Sequence, residues 1–384
     1  MKKKLPLVVK VLIAIVVGVA VGQFVPGWVV RAGNTFTGIF DQLLRFFIPL
    51  IIVGLVTPAI AEVGRKAGKM LILTVALAYG FTVLSGLFAY LFSVELFPSL
   101  VSKGSIAALE EAGKEFPAYF TIAIPPLMDV MTALVLAFML GLGIAFSKAE
   151  ALMKGFGELK NIIVLSIEKV LIPLLPFYIF GLFMDMAAAG KVAPVLGSFL
   201  AIVAIIFAMT LVLLVLQYCV AGLVTGRNPF KLLSKMLPAY LTALGTSSSA
   251  ATIPVTLKST ISNGVSEGVA GFTVPLCATI HLSGSTLKIT SCAIALMLML
   301  GMPFDFGTVF GFILMLGVTM VAAPGVPGGA IMAALGVLSG ILGFDPTQQA
   351  LMITLYIAMD SFGTACNVTG DGAIALIVDK IAKK

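Results

Sequence analysis

From Leu200 to Val224 the chain is apolar except for Thr210, Gln217 and Tyr218. About 20 such residues cross a bilayer as a helix, and a soluble core has no use for a run this long. Lipid offers no hydrogen bonds, so a spanning segment must satisfy its own backbone, as a helix does. The rest of the chain follows suit: it is 60% hydrophobic and 11% charged, where soluble proteins carry about a quarter charged residues. The expectation is an all-α polytopic membrane protein.

Apolar segments are expected at 8–31, 36–62, 68–97, 116–147, 160–188, 195–224, 228–260, 266–302, 305–343 and 346–381. Lys2, Lys3 and Lys4 precede a run that reaches Val30 without a small-residue cleavage site, so it reads as a retained first span rather than a signal peptide. Basic residues sort the loops. Lys2 to Lys4, Arg65, Lys66, Lys69, Lys148, Lys154, Lys160, Arg227, Lys231, Lys235, Lys380, Lys383 and Lys384 belong on the cytoplasmic side, and Arg31, Lys103, Lys114 and Lys191 opposite. The seventh segment then breaks the alternation. It holds Gly245-Thr-Ser-Ser-Ser-Ala-Ala-Thr-Ile-Pro254 and ends near Lys258, which suits two half-helices that return to the side they came from. Ala323-Pro-Gly-Val-Pro-Gly-Gly-Ala330 in the ninth cannot be continuous helix. With both read as re-entrant hairpins, eight full spans remain and both termini are cytoplasmic. Such broken helices at membrane depth are the hallmark of secondary transporters.

The last segment carries Asp360, Thr364, Asn367 and Asp371 at helical spacing, one polar face. Ionisable groups in a span avoid lipid and mark a substrate or ion path; two acids flanking a hydroxyl and an amide suit an ammonium group or a small cation, though a polar seam between helices has the same pattern. The hydroxyls of Thr246, Ser247, Ser248, Ser249 and Thr252 stand at a half-helix start, where the helix dipole favours a carboxylate; a tight helix crossing also uses small residues. In Thr279-Ile-His-Leu-Ser-Gly-Ser285, unwound carbonyls could hold sodium, and His281, the sole histidine, could carry a proton or simply pack. Asp129, Glu168 and Asp185 stand alone and read as structural or interfacial. Cys219, Cys277, Cys292 and Cys366 lie in apolar segments without metal-type spacing. No nucleophilic triad or phosphate loop is present, so neither an enzyme nor an ATP-driven pump is expected. The net charge of +7 comes from scattered loop residues, not from a nucleic-acid patch.

These motifs together resemble the dicarboxylate/amino acid:cation symporter family, the glutamate-transporter-like proteins. The resemblance rests on Thr246-Ser-Ser-Ser-Ala-Ala-Thr-Ile-Pro-Val-Thr256, the Pro/Gly hairpin and Asn367-Val-Thr-Gly-Asp371, and runs over nearly the whole chain. It implies a homotrimer with an elevator-type fold. A scaffold (1–67 and 98–190) would hold a transport domain (68–97 and 191–384) that slides across the bilayer, with the second hairpin as gate. It implies a substrate site of Ser248, Ser249, Ser285, Val326, Asp360, Gly363, Thr364 and Asn367. Asp360 would take the amino group; Asn367 with Ser248 and Ser249 would take the carboxylate. One sodium would sit between Asp371, Asn367 and carbonyls from Cys277 to His281, and another between carbonyls of Thr279 and of the lid at Ala322, Ala323 and Gly325.

Two departures bear on specificity. Where acidic-substrate members carry an arginine, this chain has Gly363, so no guanidinium grips a distal carboxylate. Ser283 replaces a sodium-binding acid, which removes support for a third sodium site. The expected function is symport of a small neutral amino acid with sodium. A proton-coupled carrier of an amino acid or dicarboxylate with the same fold is the near alternative, and a channel-like or sensory membrane protein the distant one.

Overall fold

The computed structural model describes residues 5–65, 69–100, 116–190, 192–325 and 327–382. Lys2 to Lys4, Lys66, Lys103, Lys114, Lys191, Val326, Lys383 and Lys384, used in the reading above, lie outside the described residues. Among the described residues all regular structure is helical. Leu200, Leu223 and Phe146 are 75%, 84% and 85% exposed; apolar faces of this kind suit lipid or another protein surface. The protein is a multi-pass membrane protein.

The first half contains α1 (Leu7–Gly22), α2 (Gly27–Arg65), α3 (Lys69–Leu96), α4 (Val130–Ser147), α5 (Glu150–Ser166) and α6 (Ile172–Ala188). Helix α2 has 39 residues with Pro49 and Pro58 inside it, about 58 Å at the usual rise, nearly twice a hydrocarbon core, so it is long enough to cross with tilt or to project beyond the bilayer. The fourth segment becomes helical only at Val130. Before it, Pro125 and Pro126 remove two backbone donors, and Asp129 caps α4 by accepting from the Thr132 amide at 2.9 Å. A π-helical turn, Ile167–Leu171, joins α5 to α6 just before Pro173, whose missing N–H interrupts the regular ladder.

The second half runs α7 (Val192–Thr225), α8 (Pro229–Ser234), α9 (Leu237–Thr246), α10 (Ser249–Ser262), α11 (Glu267–Ile280), α12 (Ser283–Leu300), α13 (Phe306–Ala322), α14 (Gly329–Leu342), α15 (Pro346–Ala358) and α16 (Asp360–Ala382). Among the described residues, five stretches have the length and hydropathy to cross a membrane: Gly27–Glu62, Lys69–Ser99, Glu150–Ala188, Phe199–Thr225 and Glu267–Leu300. The pair α15 and α16 makes a sixth, bent by 64° at Met359. Eight spans require the shorter apolar helices Val9–Gly22 and Thr132–Ser147 to cross as well.

Packing sorts the helices. Helices α1, α2, α4, α5 and α6 pack on one another; α3 and α7 to α16 form a second group, joined to the first mainly through α2 against α13 and α14, and α1 against α15. The first group is close-packed through small residues: a β-carbon at Gly22 would lie 2.3 Å from the Met184 carbonyl oxygen of α6, and one at Gly18 2.7 Å from that of Phe180. Helix α12 is enclosed on every side, with buried residues along its whole length. That burial explains why its serines, threonines and lysine are tolerated at membrane depth.

Candidate functional site

Four chain interruptions meet around α12 and α16. Between α9 and α10, Ser247 adopts a left-handed conformation (φ 50°) and Ser248 an extended one. Between α11 and α12, His281 is extended. Between α13 and α14, Gly328 has φ 75°, which suits glycine. The last is the bend at Met359, which the sequence reading ran through as one continuous helix; it makes Asp360 the first residue of α16. Asp360, Thr364, Asn367 and Asp371 all lie on the buried face of α16, exposed by 4%, 6%, 2% and 0%.

The interruptions border a small cavity of about 20 Å³ lined by Ser247, Ser249, Leu282, Ser285, Pro324, Gly325, Ala330, Tyr356, Asp360, Thr364 and Asn367. That is room for about one water, so an organic ligand enters only if a wall withdraws. The candidate wall is the tip of α13–α14. The Gly328 N–H donates to Asp360 Oδ2 at 2.9 Å, and Ser248 Oγ donates to the Gly325 carbonyl at 3.2 Å. Opposite, Ser247 Oγ and Ser361 Oγ are 3.0 Å apart. Asn367 makes three hydrogen bonds. Its Oδ1 accepts from the Gly284 and Ser285 amides at 2.8 and 3.3 Å, and its Nδ2 donates to Ser285 Oγ at 3.1 Å, which in turn pairs with the Tyr356 hydroxyl at 2.9 Å.

One residue absent from the sequence reading dominates the electrostatics. Lys288, fully buried on α12, donates to the Met359 carbonyl at 3.2 Å, lies 3.8 Å from Asp360 Oδ1 and stands 3.8 Å from the centre of the Tyr356 ring. It also covers Gly363, where a β-carbon would be 2.2 Å from Lys288 Cε. Gly363 is therefore roofed by the lysine rather than open to the cavity; no guanidinium stands there, and the cation beside it comes from another helix.

The expected ion ligands divide. Asp371 Oδ1 pairs with His281 Nδ1 at 2.9 Å, while Asp371 Oδ2, His281 Nε2 and Gln217 Oε1 are buried without partners. Gln217 Nε2 donates to Ser283 Oγ at 2.9 Å. Asp371 Oδ2 and Gln217 Oε1 are thus unpartnered acceptors, whereas the oxygen of Asn367 accepts from two amides. The Cys277 carbonyl accepts from the His281 amide at 2.8 Å, and the Thr279 hydroxyl donates to the Leu276 carbonyl at 2.8 Å. Thr279, Ala322, Ala323, Pro324 and Gly325 together border a wider cavity of about 770 Å³, which also reaches Glu62, Lys160 and Glu168. No group of three His, Cys, Asp or Glu side chains among the described residues could hold a metal ion. Asp185 accepts from Asn34 Nδ2 at 2.6 Å and ties α6 to α2.

The family model of the sodium:dicarboxylate symporters matches residues 7–381. The chain belongs to the sodium:dicarboxylate symporter family. Three similar proteins carry the name serine/threonine transporter SstT. That of Streptococcus thermophilus (strain CNRZ 1066) is 25% identical over 390 residues, 97% of this chain and 96% of the relative. That of Acinetobacter baumannii (strain AYE) is 27% identical over 392 residues, 98% and 97%, and that of Streptococcus suis (strain 05ZYH33) 28% identical over 342 residues, 86% and 94%. Family and relatives are transporters, not enzymes. The cavity-bordering residues absent from the sequence expectations are Lys288, which packs behind the wall, and Tyr356, which lines it. Lys288 left a signal: a lysine within an apolar segment needs a buried acid nearby, and Asp360 was already singled out. Tyr356 left none, because its ring reaches the cavity only once α15 packs against α12.

Proposed function

We propose that this symporter moves a small neutral amino acid together with sodium. The observation that carries the reading is the placement of Asp360 under the lid tip, beside the hydroxyls of Ser249, Ser285 and Thr364. A buried carboxylate whose nearest lid contact is a backbone N–H offers an ammonium group a charge-assisted hydrogen bond. Hydroxyls on two walls suit a short polar or small side chain, in keeping with the names of the relatives. With an amino acid bound, the lid tip would reclose over it, and the coupling ions would favour that closed form, which makes ion and substrate affinities mutually dependent.

The packing groups support an elevator division: α1, α2, α4, α5 and α6 as scaffold, α3 and α7 to α16 as the moving body, in a homotrimer with both termini cytoplasmic. Sodium would use Asp371 with neighbouring oxygens and the carbonyl rim at Thr279 and Ala322 to Gly325. One observation favours a second reading: the His281–Asp371 pair places an imidazole where a sodium ligand was expected, which suits proton coupling instead. Uptake of radiolabelled serine, threonine and alanine by proteoliposomes decides between them. Uptake driven by an inward sodium gradient supports the first reading, and sodium-independent uptake that follows a pH gradient supports the second. A substrate-independent conductance above carrier turnover rejects both in favour of a channel.

A further inference from the structure

Lys288 has no part in that reading: it stands behind the cavity wall, one side chain removed from the space, rather than among the lining residues. Its ammonium contacts the Met359 carbonyl, the face of Tyr356 and Asp360 Oδ1, and the last two belong to residues that line the cavity. The space it occupies exists because residue 363 is glycine, since a β-carbon there would stand 2.3 Å from Lys288 Nζ. Helix α12 offers the lysine no lipid or water to escape into, and a buried charge persists only with a partner. Asp360 and Lys288 therefore cancel one another before any ligand arrives. Asn367, the side chain expected to hold a substrate carboxylate, has its oxygen on two amides and one of its two N–H groups on Ser285, so it offers a carboxylate at most a neutral donor and no charge to balance it.

We propose that Lys288 determines specificity by charge: the Lys288–Asp360 pair parts on binding, Asp360 receiving the substrate ammonium and Lys288 the substrate carboxylate, so the site selects amino acids of zero net charge. The inference rests on the amino-acid reading of the pocket. A zwitterion replaces one internal pair by two intermolecular ones and leaves the buried charge at zero. An amine without a carboxylate, a carboxylate without an amine, or an acidic amino acid each leaves one buried charge unbalanced.

The test uses the purified full chain and the series serine, ethanolamine, 3-hydroxypropionate and aspartate, with affinity read from thermal shift and from competition against serine uptake. Wild type should bind serine at least about 10-fold more tightly than the other three. In Lys288→Met, serine should weaken by about 30- to 100-fold, the factor expected for one hydrogen bond to a charged group, and ethanolamine should bind at least as well as serine. Because that variant leaves Asp360 unpaired and could fail to fold, Lys288→Met with Asp360→Asn removes both charges; it should fold and bind neither. The ranking in the unaltered protein stands whatever the variants do: wild type that takes ethanolamine or 3-hydroxypropionate as tightly as serine overturns the inference. Wild type that binds no amino acid at all overturns the amino-acid reading and this inference with it. If wild type binds serine and Lys288→Met keeps the same ranking, the inference alone falls.

Discussion

Asp360 shows how little of a residue's role is intrinsic. In water its carboxylate would be one more surface charge; at the first position of α16 it accepts from the Gly328 amide and faces a lysine on another helix. Asp360→Asn keeps the shape and removes the charge, and should weaken binding of neutral amino acids by about 100-fold, near the upper range for a hydrogen bond to a charged group; titration of the purified variant with serine checks it. Gly363→Arg would restore the side chain that acidic-substrate members carry. Lys288 already fills that space, so the single variant should express poorly. Combined with Lys288→Met it should fold and gain aspartate affinity of at least about 10-fold, measured by competition. Asp371→Asn should flatten the dependence of uptake on sodium concentration, because the bare Oδ2 loses its charge; an unchanged sodium titration removes Asp371 from the ion path.

At the scale of elements, function depends on where helices stop. Proline and glycine placed the α13–α14 interruption, which was legible in the sequence because those residues act through their own backbone. Gly328 carries two burdens there, a positive φ and the N–H given to Asp360. Gly328→Ala should cost about 1 kcal/mol in strain, visible as roughly fivefold weaker substrate binding. Gly328→Pro also removes the donor and should abolish lid closure, measured as loss of substrate protection of the lid from proteolysis. The bend at Met359 was not legible. Met359 and its neighbours contain neither proline nor glycine at the break, and the change of direction comes from α15 and α16 packing against different partners.

For the whole molecule, the separation into two packing groups is a property of contacts between helices distant in sequence. Their junction is sampled by Ile52 of α2 and Gly336 of α14, where a β-carbon on the glycine would lie 2.6 Å from Ile52 Cδ1. If α14 travels with a moving body, Ile52→Cys with Gly336→Cys, once cross-linked, should arrest uptake by more than about 10-fold and recover on reduction. Full uptake while the link is intact would refute sliding at this interface. Sequence alone settled that the chain lives in a membrane as interrupted helices, and that one face of its final helix is polar, because hydropathy, proline and helical period act over neighbouring residues. What the tertiary structure decided is the pairing of distant charges. Lys288 and Asp360 are 72 positions apart (360 minus 288), and only the enclosure of α12 by other helices, which denies the lysine every solvent but protein, brings its ammonium to that carboxylate.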